Sequence, residues 1–223
     1  MKVNTDGVLL GAAMTLLPSD KNFLDVGTGT GTIALMAAQR AEAGYHVDAI
    51  DIDEVSVEEA AANFNRSPWA ASLSARHSSL DEYAASLSDE LRYDLIFSNP
   101  PYFEDSLLAP EQRRSNARHT STGLSYRELL EFAQQRLSDQ GRISMVLPAE
   151  QEAALCRHAR MCGLHLFRIV RVRTVPRKAP ARMIAEFRRE RCENPEEVLL
   201  TIQKEGKYTD EYLSLTRDFY LFA

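Results

Sequence analysis

Asn22-Phe23-Leu24-Asp25-Val26-Gly27-Thr28-Gly29-Thr30-Gly31 (NFLDVGTGTG) carries a short apolar run into a glycine-rich turn. Thr32–Ala43 follows with Ile33, Met36, Ala37 and Arg40 on one helical stripe. A buried strand that passes through glycines into a helix is the opening unit of a parallel βαβ sheet. Glycines at such a turn permit positive φ and let a ligand approach the backbone. The helix start behind them presents free N–H groups and a partial positive charge. The spacing narrows the ligand. A dinucleotide loop needs its third glycine where Thr32 stands, and no Gly-Lys-Ser/Thr follows, which excludes a P-loop. Here the third glycine comes early, at Gly31, and an acid, Asp25, precedes the first.

Outward from this unit, strands and helices alternate. Thr5-Asp6 is placed to cap a first helix reaching about Leu17. His46–Ile50 reads as a second strand, and Glu54–Arg66 as a helix ended by Ser67-Pro68. Ser72–Arg76 reads as a short third strand and Tyr93–Ser98 as a fourth. Phe103–Gly123 reads as loop, Ser125–Leu137 as a helix terminated by Gly141, and Arg142–Leu147 as a fifth strand. After a helix at Ala149–Cys162, the strands Leu164–Thr174 and Arg182–Arg189 are joined by a link too short for a crossover, so they are antiparallel. The expected fold is therefore α/β: one domain over 1–223, a mostly parallel, doubly wound sheet with an antiparallel edge hairpin. Aromatic residues in the tail (Tyr208, Tyr212, Phe219, Tyr220, Phe222) imply that it docks on the rest.

The Asp25, Gly27, Gly29, Gly31 pattern resembles the cofactor loop of Rossmann-like S-adenosylmethionine-dependent methyltransferases. Asp51, 24 residues beyond Gly27, stands where an acid accepts hydrogen bonds from both ribose hydroxyls. Asp53 is its rival, with helix capping as its other role. The resemblance implies that Leu80 or Asp81 lies near the adenine.

Asn99-Pro100-Pro101-Tyr102 follows the fourth strand, at the carboxyl end of the sheet, where open α/β folds bind ligands. An exocyclic amine is a poor nucleophile because its lone pair is delocalised. Two acceptors, the Asn99 side-chain oxygen and the Pro100 carbonyl, can hold both amino hydrogens and turn the lone pair towards a methyl donor. Pro100 and Pro101 fix φ and remove competing N–H groups, and Tyr102 offers a face for a planar base. The tetrapeptide resembles the [D/N/S]PPY signature of methyltransferases acting on planar amino nitrogens: adenine N6, guanine N2 and glutamine N5. It specifies the reaction class more sharply than the substrate.

Further stretches resemble the bacterial tRNA(Val) adenosine-N6-methyltransferase family: Met1–Gly11, Asp51–Trp69, Ser98–Phe103, Ala117-Arg118-His119 and Lys207–Leu221. The resemblance implies tRNA as partner and the adenosine 3′ of the anticodon as target, and it places Thr5 and Asp6 by the methionine end of the cofactor. Arg113, Arg114, Arg118 and His119 follow the reactive motif and can bind phosphates or shape the base pocket. Family members carry a short aromatic and basic segment ahead of the Met-Lys-Val start, so part of a lid over cofactor or substrate is expected to be missing here. A glutamine N5 enzyme remains the alternative, although such enzymes carry a helical domain before the glycine loop and only 24 residues precede Asp25 here. A guanine-N2 RNA enzyme is the nearer alternative.

Charge fits two readings equally, a face that holds a polyanion and a solvated, arginine-rich hairpin. The chain carries 26 Lys+Arg and 32 Asp+Glu, a net charge of −6. Between Arg157 and Arg191, however, eleven basic residues face only Glu186 and Glu190, a local +9. From this block Arg168, Arg171, Arg173, Arg177, Lys178 and Arg182 are the candidate RNA contacts. No uncharged apolar run approaches the ~18–20 residues of a membrane helix. The opening MKVNTDG has no signal-like apolar stretch, and the three cysteines form neither a disulfide framework nor a zinc cluster. His46, His77, His158 and His165 show no metal-ligand spacing. No metal and no membrane are expected. A cytoplasmic monomer is assumed.

Overall fold

The computed structural model describes residues 4–101 and 124–220, so Tyr102, Arg113, Arg114, Arg118 and His119 lie outside the described residues. Its strands are β1 (Asn22–Val26), β2 (His46–Asp51), β3 (Leu73–His77), β4 (Tyr93–Ser98), β5 (Leu137–Pro148), β6 (His165–Arg173), β7 (Arg182–Arg188) and β8 (Glu196–Thr201). A hairpin of β9 (Gln203–Lys204) and β10 (Lys207–Tyr208) follows. The helices are α1 (Thr5–Ala13), α2 (Thr32–Arg40), α3 (Glu54–Arg66), α4 (Leu80–Ser86), α5 (Tyr126–Arg136), α6 (Glu152–Met161) and α7 (Asp210–Thr216).

The sheet runs in the order β3-β2-β1-β4-β5-β7-β6-β8. β7 pairs antiparallel with both β5 and β6, and the remaining pairings are parallel. The antiparallel hairpin is therefore present, but β8 pairs beyond it in parallel with β6 and forms the outer edge. Alternation along each strand divides the core. Phe23, Val47, Leu95, Phe97 and Ile184 face α1, α2, α3 and α7. Leu24, Val26, Ile50, Ile96 and Met145 face α4, α5 and α6. Both faces are covered, as a mostly parallel sheet requires.

Several boundaries differ from the sequence expectation, each for a local reason. Asn4, rather than Thr5 or Asp6, caps α1, its side-chain oxygen accepting from the Gly7 N–H at 2.7 Å. α1 stops at Ala13 rather than Leu17 because the buried carboxylate of Glu186 draws out the next turn: Thr15 gives it both its N–H and its hydroxyl at 2.9 Å. α2 ends at Arg40, whose guanidinium reaches back to the carbonyls of Gly11 and Met14. Gly141 does not end a helix. It lies inside β5, where the register slips opposite Tyr93, and a Cβ there would stand 2.6 Å from the Tyr93 carbonyl oxygen. α4 was not expected, although the Ser79–Glu82 capping box that starts it is legible in the sequence.

A buried ion pair secures the chain between α1 and β1. Arg142, 2% exposed, binds the Asp20 carboxylate with both terminal nitrogens and donates from Nε and Nη2 to the Thr15 carbonyl. Of the tail aromatics, Tyr212 and Phe219 dock, Tyr208 and Tyr220 are exposed, and Phe222 lies outside the described residues. Tyr212 of α7 is buried against the α1 face, and Phe219 packs on Val8, Ala12 and Met36.

Candidate active site

The strands β1 to β5 are parallel, so their carboxyl ends share one edge, and the order reverses between β1 and β4. That switch point is where an open α/β sheet leaves a crevice. The glycine turn fills one side of it. Gly27, Gly29 and Gly31 have φ of 73°, 56° and 79°, conformations that strain any residue with a Cβ. The turn is fastened to β2: the N–H groups of Gly27 and Thr28 both donate to the Ile50 carbonyl, at 2.8 and 3.0 Å. Behind it, the Asn63 side chain donates to the Thr30 carbonyl at 2.9 Å. A Cβ on Gly31 would sit 2.4 Å from the Phe64 ring, so α3 closes directly on the turn.

Two acids flank the turn in different surroundings. Asp25 is 0% exposed and accepts the Thr28 hydroxyl at 2.7 Å through one oxygen, while its Oδ1 is buried with no hydrogen-bond partner among the described residues. Desolvation pushes its pKa up to about 7, the Thr28 hydrogen bond opposes the rise and the nearby Asp51 charge adds to it. Asp51, at the end of β2, has one oxygen on the Gly29 N–H at 2.8 Å and the other on the Asp53 N–H at 3.0 Å. Its carboxylate therefore lies against the glycine turn. Asp53 takes the capping role: it accepts from the N–H and hydroxyl of Ser56 and starts α3, and those hydrogen bonds, the hydroxyl's first, lower its pKa. Ile52 between them is 64% exposed, an apolar side chain held in solvent beside an acid. Sequence reasoning missed it, because an isolated isoleucine at a strand end carries no pattern. Leu80 is largely buried at the start of α4, and Asp81 beside it is exposed.

Asn99, Pro100 and Pro101, the described part of the tetrapeptide, follow β4 on the other side of the crevice. β1 and β4 register with Asp25 opposite Phe97, so Gly27, the first residue past β1, and Asn99, the first past β4, leave neighbouring strand ends. Ser98 locks this alignment, its buried hydroxyl donating to the Val26 carbonyl at 2.7 Å. Asn99 is half-buried, Pro100 buried and Pro101 exposed. The glycine turn and the candidate amine-binding residues thus follow adjacent strand ends, which the Ser98–Val26 hydrogen bond ties together.

A match to the family model described as Methyltransferase small domain spans residues 7–161. A tRNA1(Val) (adenine(37)-N6)-methyltransferase of Bacteroides fragilis is 42% identical over 221 residues, covering 99% of this chain and 91% of that one. A protein of the same name from Vibrio campbellii is 38% identical over 221 residues, covering 99% and 89%. This chain belongs to their family. Among solved structures, a predicted O-methyltransferase from Agrobacterium tumefaciens superposes with a TM-score of 0.65 at 16% identity, covering 94% of this chain and 95% of that one. A TehB-like SAM-dependent methyltransferase from Corynebacterium glutamicum gives 0.53 at 18%, covering 83% and 88%. Both show the same fold.

The methyltransferase is S-adenosylmethionine-dependent, and the residues present fit that cofactor. Three left-handed glycines keep the turn open, and Asp51 offers a carboxylate at its rim. No cluster of three or more His, Cys, Asp or Glu able to hold a metal occurs among the described residues. No described helix is long and apolar enough to cross a membrane.

The basic block of the methyltransferase is not a single surface. Period-two alternation along β6 and β7 sends Arg168 and Arg182 to the α1 face, and Arg171 and Arg173 to the opposite one. Arg168 is held by Glu186 at 2.9 Å and Glu196 at 3.2 Å. Arg171 is held by Glu152 through two bonds and by Glu197 at 2.7 Å, carboxylates that raise its pKa further, while the arginine lowers that of Glu152. Arg182 binds Asp6 at 2.9 Å, tying β7 to the start of α1 on the site's edge of the sheet. Thr5 beside it is exposed. Arg173 braces the link by donating to the Thr201 hydroxyl and the Pro176 carbonyl, and Arg177 and Lys178 are exposed on that link. Arg188, Arg189 and Arg191 lie at the far end of the sheet.

Proposed function

We infer that this chain transfers a methyl group from S-adenosylmethionine to N6 of an adenosine in the anticodon loop of tRNA, the adenosine 3′ of the anticodon of tRNA1(Val). The observation that carries the reading is that Gly27 and Asn99 each follow directly on the ends of the paired strands β1 and β4, which the Ser98 hydroxyl ties together at the Val26 carbonyl. Family membership at 42% identity across 99% of the chain supports the substrate.

When bound, S-adenosylmethionine supplies an electrophilic methyl group on a sulfonium. Asp51 would accept from the ribose hydroxyls, with Gly27, Gly29 and Gly31 leaving room for the methionine end. Thr5 and Asp6 would border that end, and Ile52, Leu80 and Asp81 would hold the adenine. Asn99 and the Pro100 carbonyl accept from the target amine, and Pro101 keeps that carbonyl's direction fixed. Tyr102 stacks on the base, which leaves the RNA stack at a cost of a few kcal/mol. Positioning and fixed dipoles supply the rate, so no nucleophilic side chain is needed. Arg173, Arg177, Lys178 and Arg182 contact phosphates from the near edge, with Arg113, Arg114, Arg118 and His119 following the reactive motif. The enzyme works in the cytoplasm.

The test is incubation with radiolabelled S-adenosylmethionine and, separately, unmodified tRNA, ribosomal RNA, DNA and a release factor. Label is expected in tRNA as N6-methyladenosine. Label on glutamine or guanine overturns the substrate. Asn99→Ala is expected to lower turnover about 10²–10³-fold, by analogy with loss of one oxyanion-hole donor, with cofactor affinity kept. Wild-type turnover in that variant removes Asn99 from the mechanism.

A further inference from the structure

β6 and β8 continue to pair beyond their ends. Ile202 N–H donates to the Arg173 carbonyl at 2.9 Å and Gln203 N–H to that of Thr174 at 2.8 Å. These bonds join the β6–β7 link to the β9–β10 hairpin. Thr209 closes the hairpin's base, its N–H on the Ile202 carbonyl and its hydroxyl on that of Thr201. Glu205 and Gly206 at the tip both have positive φ, 53° and 79°, the geometry of a tight two-residue turn. The hairpin is therefore a defined projection from the strand end.

Its surface has a specific chemistry. Lys204 and Lys207 are exposed on the two arms, beside exposed Arg177 and Lys178 on the joined link. Glu205 at the tip and Asp210 and Glu211 at the start of α7 are the carboxylates nearby in the chain. Tyr208 is 53% exposed and stacks on buried Tyr212, with ring centroids 5.1 Å apart and planes 27° from parallel. A ring backed by a second ring and left open to solvent among lysines is a platform for a nucleobase with cations for its backbone. In a chain of net charge −6, this concentration lies on the same sheet edge as Asn99, four strand spacings or about 19 Å along it.

We propose that the Gln203–Tyr208 hairpin is a second RNA-contact element, with Tyr208 stacking an unpaired base and Lys204 and Lys207 engaging phosphates of the RNA whose adenosine sits at Asn99. The proposal rests on the RNA-methyltransferase reading and adds a binding element remote from the chemistry. Fluorescence anisotropy with unmodified tRNA across a salt series tests it, alongside steady-state kinetics. Lys204→Ala/Lys207→Ala is expected to weaken binding about tenfold and flatten the log–log salt slope by about 1.4, at ~0.7 per phosphate. Tyr208→Ala is expected to weaken binding about tenfold with the slope unchanged. In both, KM rises, kcat holds, and cofactor affinity is unaltered. Arg160→Ala/Arg191→Ala removes equal charge at the far end of the sheet and is expected to change neither slope nor KM. Wild-type affinity and slope in the hairpin variants, with the parent methylating tRNA, overturn the hairpin assignment alone. Equal loss in the far-end control also overturns it, by reducing the effect to net charge. A parent that binds no RNA, or binds anionic vesicles instead, overturns the substrate reading and this proposal together.

Discussion

Asp25→Asn separates the buried acid's electrostatic cost from its contacts. Asp25 is 0% exposed, and its pKa rises from the ordinary 3.8 to about 7 mainly through desolvation. The native state thus holds its proton over a pH range in which the unfolded chain has lost it, so stability falls as pH rises through that range. The stabilisation from this proton is complete below pH 3.8 and gone above about pH 7. At 1.36 kcal/mol per pH unit, the full span is about 4 kcal/mol, of which about 3 kcal/mol is lost between pH 5 and pH 8. Asparagine carries no charge, and its side-chain oxygen can still accept the Thr28 hydroxyl. The variant should therefore gain about 3 kcal/mol on the parent between those two pH values. Urea midpoints and slopes of both proteins at pH 5, 6.5 and 8 measure the gap. A gap that is the same at all three values refutes the reasoning: Asp25 would then be ionised throughout, or reached by water.

Asp51→Ala removes the acceptor from the Gly29 N–H and, in the proposed role, from the ribose. Charge-assisted hydrogen bonds of ~1.5–3 kcal/mol predict S-adenosylmethionine binding about 10- to 100-fold weaker by calorimetry, with turnover largely restored at saturating cofactor. Gly31→Ala places a Cβ 2.4 Å from the Phe64 ring at a φ of 79°. Strain and overpacking together predict a loss of about 2–4 kcal/mol in denaturant unfolding, and a loss below 1 kcal/mol would mean that α3 moves away easily.

The glycine turn and the Asn-Pro-Pro strand end were legible because each is a local device: backbone conformation in one case, φ restriction in the other. β1, α3 and β4 have the bounds their patterns predict, since turn chemistry and capping end them from within. Where a distant partner decides, sequence reading went astray. The far end of α1 yields to Glu186, residues apart by most of the chain, and Gly141 serves the backbone of Tyr93 rather than a helix end.

The same division holds for function. The order of residues along the chain determined a βαβ sheet, a glycine-rich turn, an acid 24 residues on and a strand end carrying Asn-Pro-Pro, because each depends on short-range stereochemistry. It could not say that Asn99 and Gly27 leave neighbouring strand ends, since that belongs to the pairing of β1 with β4. Nor could it divide the arginines, which read as one basic block until strand alternation sends them to opposite faces and carboxylates from β7, β8 and α6 engage two of them. Charge is a property of the chain; which charges remain free to meet a partner is decided by packing.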